Sequence, residues 1–105
     1  YYATGKRKTS VAKIWLKPGT GKFIVNNKTL DDYFVLKTAR DLLSLPLVLT
    51  EMKDSFDINV RVMGGGVMSQ SGAVRHGISK ALVMSDSEFR GVLKKAGCLT
   101  RDSRI

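Results

Sequence analysis

The sequence predicts a single domain of the α/β (α+β) class. Residues 10–17 and 56–62 alternate apolar and polar side chains, which is typical of half-buried strands. The second stretch runs into three glycines, residues 64–66, and an amphipathic helix follows them. At 105 residues the chain is large enough for one modest core. These three observations predict a mixed fold organised around a strand, a glycine-rich turn and a helix.

The first third of the chain predicts a polar, basic arm and then three strands. Residues 1–9 form the arm, and the strand at 10–17 follows with alternate residues directed to opposite faces. A turn at 18–21 leads to a second strand at 22–26. Asn26 and Asn27 suit a tight turn because Asn tolerates positive φ, and a short strand at 28–29 comes next.

Helical spacing dominates the rest of the chain. A helix is predicted to open at Asp31 and Asp32, and Pro46 is expected to interrupt it. The main helix is predicted over 71–84, and a capping box of Ser85 and Glu88 predicts a last helix that ends at Gly97. The main helix is expected to bury Val74, Ile78, Ala81 and Leu82 and to expose Arg75, His76, Ser79 and Lys80; the last helix is expected to use Phe89, Val92, Leu93 and Ala96 as its apolar face.

The charge predicts a polyanionic partner. The net charge is +9 and the pI about 10.0, which favours a nucleic acid over a membrane surface. Both ends of the chain are basic, and residues 1–30 contain no acid. With one cysteine and one histidine, the chain can form no internal disulfide and no Cys/His zinc site. No metal, cofactor or membrane partner is therefore expected.

The glycine-rich turn admits two readings, a tight strand-to-helix connection or a phosphate site at a helix N-terminus. It is not a Walker A loop, because no Gly-Lys-Ser/Thr follows at the required spacing. A small phosphate-loop nucleotide-binding or kinase-like domain is the alternative function, but no carboxylate is placed to hold magnesium. His76 has no nucleophile beside it and is expected to be exposed or hydrogen-bonded. No catalytic residue is predicted, and the chain is expected to be a binding protein and not an enzyme.

Basic residues around an aromatic ring favour an RNA-facing strand. Lys13, Trp15 and Lys17 share one face of the strand at 10–17, and together they supply charge for phosphate and a flat ring for a base. The alternative is that a helix covers Trp15. Cys98 is expected to be a small packing residue.

Several motifs occur in order over nearly the whole chain. They are residues 4–12, 18–21, 32–34, 64–66, Gly72-Ala73-Val74-Arg75-His76-Gly77-Ile78, and 95–104, which includes Leu99-Thr100-Arg101-Asp102. Together they resemble the small-subunit ribosomal protein nine family of the bacterial and organellar type. The resemblance implies a mostly antiparallel sheet backed by helices, like the second domain of ribosomal protein five. It also implies a structural constituent of the small-subunit head that binds ribosomal RNA and neighbouring ribosomal proteins, and supports translation near the peptidyl-site transfer RNA.

Three features depart from the family pattern. Ser69 stands where the family usually has Gly, and Asn26-Asn27 stands where it has Asn-Gly. The family continues past Arg104 into a basic tail that reaches the transfer RNA, whereas here a tail at 99–105 ends at Ile105; that contact therefore falls on no residue present. The departures, and a first residue that is not Met, favour a mitochondrion over a bacterial cytoplasm or a plastid.

The predicted RNA-binding residues are basic side chains and glycines. Arg75 and His76 are expected to lie with the glycine turn against the RNA backbone, and the alternative is that Arg75 pairs with an acid such as Asp57. The full set is Lys6, Arg7, Lys8, Lys13, Lys17, Gly65, Gly66, Arg75, His76, Lys80, Arg101 and Arg104.

Overall fold

A computed structural model describes residues 1–99 and has a mixed α+β fold, as predicted. Strands and helices are mingled along the chain rather than separated into two halves. The elements are β1 (Tyr2–Arg7), β2 (Ser10–Pro18), β3 (Phe23–Val25), β4 (Lys28–Thr29), α1 (Leu30–Tyr33), α2 (Lys37–Thr50), β5 (Phe56–Met63), α3 (Val67–Ser85) and α4 (Phe89–Lys95).

The strands form one five-stranded sheet in the order β1-β2-β5-β3-β4. All neighbours pair antiparallel except β3 and β5, which are parallel. The inward residues of β2, among them Ala12, Ile14 and Leu16, are fully buried, while those between them are not. The sheet is therefore covered on one face by the helices, and its other face is open.

The predicted N-terminal arm is wrong, because most of it is strand β1. Ala3 and Gly5 point to the core, and α3 passes so close to Gly5 that a Cβ there would overlap the backbone of Ala73 and Gly77. Both inward positions carry small residues for this reason. The alternation of apolar and polar residues that marks a strand is consequently hard to see in this part of the sequence.

Pro46 does not interrupt its helix, contrary to the prediction. The acidic segment forms the separate one-turn helix α1, and α2 then runs through Pro46 to Thr50. Proline removes one backbone donor, but Pro46, Leu43 and Leu47 are all buried, and the Thr50 hydroxyl donates 2.8 Å to the Pro46 carbonyl. Burial of this face offsets the lost hydrogen bond.

The turn at Asn26-Asn27 is confirmed, with φ of 50° and 67°. The Asn26 side chain does more than tolerate this geometry. Its amide donates 2.9 Å to the Val62 carbonyl and its oxygen accepts the Val62 N–H at 3.0 Å. The side chain thereby continues the pairing of β3 with β5 by one position.

Helix α3 begins at Val67, four residues before the predicted start. Its predicted stripe of Val74, Ile78, Ala81 and Leu82 is buried as expected. Ser79 was predicted to be exposed but is buried too, and its hydroxyl donates to the Arg75 carbonyl. The helix packs against the sheet, α2 and α4, so its buried arc is wider than one stripe.

The predicted capping box of α4 is not formed. Ser85 is the last residue of α3, where its hydroxyl donates to Leu82, and the Glu88 N–H is instead accepted by the Asp86 carboxylate. Gly97 follows the helix with φ of 81°, as expected of a terminating glycine. On the predicted apolar face Leu93 is buried and Phe89 is partly buried, but Val92 and Ala96 are exposed.

Candidate RNA-binding surface

The glycine turn packs against the hairpin that joins β1 to β2. Gly64 and Gly65 have φ of 83° and 68°, and a Cβ on either would overlap the Thr9 carbonyl or the Ser10 hydroxyl. That hydroxyl donates 2.7 Å to the Gly64 carbonyl. Two of the three glycines are thus explained by contacts within the chain, whereas a Cβ on Gly66 would meet open space.

Ser69, the departure from the family pattern, joins the same contact. Its hydroxyl donates 2.9 Å to the Arg7 carbonyl and lies 2.8 Å from the Ser10 hydroxyl. The serine therefore ties the first turn of α3 to the end of β1. The helix starts at Val67 with this residue inside it.

The predicted cluster at the chain's start does come together with the glycine turn. Lys8 is exposed at the tip of the β1–β2 hairpin with φ of 55°, and the Arg7 side chain crosses α3 where Gly72 leaves room for it. Lys6, the residue before Arg7 in β1, is also exposed. Five of the predicted residues, namely Lys6, Arg7, Lys8, Gly65 and Gly66, consequently lie at one corner of the molecule.

His76 and Lys80 bind the chain's own β1. The Tyr1 carbonyl accepts the Leu16 N–H, and antiparallel pairing alternates, so Thr4 and Lys6 direct their backbone groups away from β2. The Lys80 ammonium donates 2.8 Å to the Thr4 carbonyl, and His76 Nδ1 accepts the Lys6 N–H at 3.4 Å. The assignment of both side chains to RNA stays a prediction, and the structure adds to it a role within the chain that depends on β1 being a strand.

Arg75 lies apart from the glycine turn. It is eight residues from the start of α3, or about 12 Å along the axis, and its half-buried side chain has a buried Nε without a hydrogen-bond partner in residues 1–99. Cys98 is buried in the core, as predicted for a packing residue, and this burial raises the pKa of its thiol, although the nearby Arg75 charge acts in the opposite direction.

The alternative partner proposed for Arg75 is wrong, because Asp57 is engaged elsewhere. Its carboxylate accepts the backbone N–H groups of Lys22, Thr20 and Gly21 at 3.0, 2.9 and 3.1 Å. The hydrogen bonds from Lys22 and Thr20 are the main causes that hold the pKa of Asp57 below its ordinary value. Asp57 thus stabilises the turn between β2 and β3.

The uncovered side of the sheet is termed the open sheet face. Lys13 lies directly opposite Arg61 across β2 and β5, and Trp15 lies between Tyr2 and Asn59. Trp15 is 43% exposed, so the alternative that a helix covers it is wrong. Arg61 is not among the predicted RNA-binding residues, although the alternation over 56–62 already places it outward. The open sheet face consists of Tyr2, Thr4, Lys6, Val11, Lys13, Trp15, Lys17, Ile24, Asp57, Asn59, Arg61 and Met63.

Some predictions concern parts or properties outside these surfaces. Arg101 and Arg104 lie outside the described residues. Over residues 1–99, no group of three or more His, Cys, Asp or Glu side chains is placed to hold a metal ion. The same portion contains no helix whose length and apolarity suit a membrane span.

Fold and charge together define the class, a small and strongly basic α+β protein with a one-sided sheet. The family model for ribosomal protein S9/S16 matches residues 5–105. Over 105 residues, all of this chain and 81% of the relative, the chain is 53% identical to small ribosomal subunit protein uS9 of Syntrophobacter fumaroxidans. The chain therefore belongs to the ribosomal protein S9/S16 family, whose members are structural proteins of the ribosome. Because this relative is bacterial, the preference for a mitochondrion gains no support.

Proposed function

We propose that the chain is a structural constituent of the small ribosomal subunit that binds ribosomal RNA in the subunit head, with the open sheet face as its main electrostatic contact. The opposed pair of Lys13 and Arg61 carries this proposal. Like charges directly opposite on neighbouring strands destabilise a sheet. A phosphate bound between them removes that cost and gains two charge-assisted hydrogen bonds.

The charge of the whole face supports this assignment. It carries four cationic side chains, Lys6, Lys13, Lys17 and Arg61, and a single acid, Asp57. Among residues 1–99 no salt bridge neutralises Lys13 or Arg61; the ion pairs there are those of Lys37 with Asp41 and of Arg40 with Asp31. The corner formed by the β1–β2 hairpin and the glycine turn adds Arg7 and Lys8, which directly follow Lys6 in the chain.

A salt titration with charge-neutral variants tests the proposal. Binding of a head-domain ribosomal RNA fragment is measured for the wild type, for the double variant Lys13→Gln/Arg61→Gln, and for the control Lys94→Gln/Lys95→Gln in α4. Each phosphate contact contributes about 0.7 to 0.9 to the slope of log affinity against log salt. The sheet variant is expected to lose about one to two units of slope, and the control much less. Equal losses for the two variants would refute the open sheet face as the contact.

Further partners follow from the family and are part of the proposal. They are neighbouring proteins of the subunit head and, only through a basic C-terminal tail that residues 1–105 do not include, the transfer RNA in the peptidyl site. No residue between 1 and 99 is assigned to the transfer RNA. In cells, the sheet variant is expected to assemble more weakly into subunits. The purified variant is expected to be at least as thermally stable as the wild type, because the repulsion between the two opposed charges is removed.

The rival phosphate-loop function gains nothing from the geometry of the glycine turn. Its first two glycines are occupied by contacts with Thr9 and Ser10, and the Gly64 carbonyl accepts from Ser10 and Gln70. Saturable, magnesium-dependent nucleotide binding with turnover would nevertheless contradict a purely structural role. The assay uses the same purified chain.

A further inference from the structure

A cavity of about 530 Å³ opens at the end of the sheet where β2 and β5 meet β3. Its walls include Tyr2, Trp15, Lys17, Lys22 and Asn59, and these five residues define what is termed the aromatic pocket. The volume falls within the range of about 300–1,000 Å³ that small-molecule sites occupy. No residue of the corner or of α3 contributes to it.

Two aromatic rings form one wall of the aromatic pocket. Tyr2 and Trp15 have ring centroids 5.2 Å apart with planes inclined by 46°, and each residue is 43% exposed. The Thr4 hydroxyl donates to the Tyr2 hydroxyl at 3.2 Å, which orients the tyrosine ring. Large, rigid and accessible rings of this kind are the surfaces on which unpaired bases stack.

Cations and an amide complete the aromatic pocket. Lys17 and Lys22 form no salt bridge with any residue up to 99, and the Asn59 side chain makes no hydrogen bond within that part. Asp57 also borders the cavity, where three backbone N–H groups of the turn bind its Oδ1 and its negative charge acts on Lys22. The five residues of the aromatic pocket therefore offer a ligand two ammonium groups and one amide, and their charge exceeds that of the one carboxylate beside them.

We propose that the aromatic pocket holds one unpaired RNA nucleotide. Its base stacks on Trp15 and Tyr2, its phosphate lies against Lys17 and Lys22, and Asn59 hydrogen-bonds the base edge. The inference rests on the proposed RNA-binding function and adds a base-recognising site to an otherwise phosphate-directed surface. Two lysines against one carboxylate leave the lining positive, which suits a phosphate beside a stacked base, so charge favours the nucleotide over an apolar protein segment.

Trp15 is the sole tryptophan of the chain, so its fluorescence reports on the aromatic pocket directly. The first titration compares a short single-stranded oligoribonucleotide with an abasic oligomer of the same length and charge, at one ionic strength. The normal strand is expected to quench Trp15 emission saturably. The abasic strand is expected to bind through its phosphates without quenching.

Variants separate stacking from charge. Trp15→Leu should lower affinity for the single strand about fivefold to a hundredfold, the equivalent of one lost stacking contact. A fully paired hairpin should bind unchanged, and Trp15→Phe should retain most of the affinity. Lys17→Gln should reduce the salt slope by about 0.7, whereas the exposed control Lys94→Gln should leave it unaltered. Thermal melting verifies that each variant is folded. If Trp15→Leu does not fold, the affinity of Trp15→Phe and the salt slope of Lys17→Gln test the proposal in its place.

The outcomes distinguish this inference from the proposed function. Equal quenching by both strands, or unchanged affinity of Trp15→Leu, overturns the aromatic pocket while salt-dependent RNA binding stands. Absence of binding by either strand and by the ribosomal RNA fragment overturns both. Shielding of Trp15 by other subunit proteins but not by RNA would show that the occupant is a protein, and the inference would be wrong.

Discussion

Substituting Gly5 by alanine is expected to destabilise the protein although alanine is the better residue for the local backbone. Gly5 has no positive φ, and glycine inside a strand costs about 0.5–1 kcal/mol relative to alanine. The new Cβ, however, would overlap the backbone of α3, lying 2.8 Å from the Gly77 Cα. Overpacking costs about 1–3 kcal/mol, and backbone atoms yield less than a side chain, which places Gly5→Ala near the upper end.

The net loss is therefore about 2 kcal/mol in the free energy of unfolding. For a domain of this size it corresponds to a fall in Tm of about 8–16 °C. Gly91→Ala is the matched control, because Gly91 lies in α4 with nothing within 4 Å of its added Cβ; it should stabilise by about 0.5–1 kcal/mol. Urea unfolding followed by circular dichroism measures both. A Gly5→Ala protein as stable as the wild type would refute the close approach of α3 to β1.

Three further predictions concern the turn, the core and the thiol. Because hydrogen bonds lower the folded-state pKa of Asp57, its stabilisation is present above the unfolded value of about 3.9 and is lost as the pH falls through the folded one. Asp57→Asn should thus flatten the acid limb of the stability profile, and an unchanged limb would contradict this. Ile78→Ala, at a site with 0% exposure, should cost about 2–5 kcal/mol in urea unfolding, whereas Val48→Ala at 57% exposure should cost little. Cys98, with its raised pKa and buried side chain, should react with iodoacetamide far more slowly in the native protein than in urea, and equal rates would show it accessible.

Elements with strong local patterns could be predicted from the sequence. The alternation in β2 and β5, the buried stripe of α3 and the Asn26-Asn27 turn all have causes within a few neighbouring residues. Strand β1 could not be predicted in this way, because its inward positions at Ala3 and Gly5 are small to admit α3. The prediction that Pro46 interrupts its helix is wrong for a similar reason. Burial of Leu43, Pro46 and Leu47 against the rest of the fold outweighs one lost hydrogen bond.

The candidate site shows the same division. Lys13, Trp15 and Lys17 share the open face as their spacing implied, and the hairpin tip lies beside the glycine turn. The hydrogen bonds of His76 and Lys80 to β1 could not be predicted from local patterns. Their partners are backbone groups 70 and 76 residues earlier in the chain. The alternative pairing of Asp57 with Arg75 is wrong for the same reason. The three groups that donate to Asp57 belong to a turn 35–37 residues away in the chain.

The hydrogen bonds from α3 to β1 have a consequence for the protein before it joins a ribosome. An edge strand with free N–H and C=O groups is a template on which a second chain can add. Lys80 occupies the outward carbonyl of Thr4 and His76 the outward N–H of Lys6. The positive charge of Lys80 also repels a second basic chain. The helix that fills the core thus leaves this edge with fewer backbone groups on which a second chain could add.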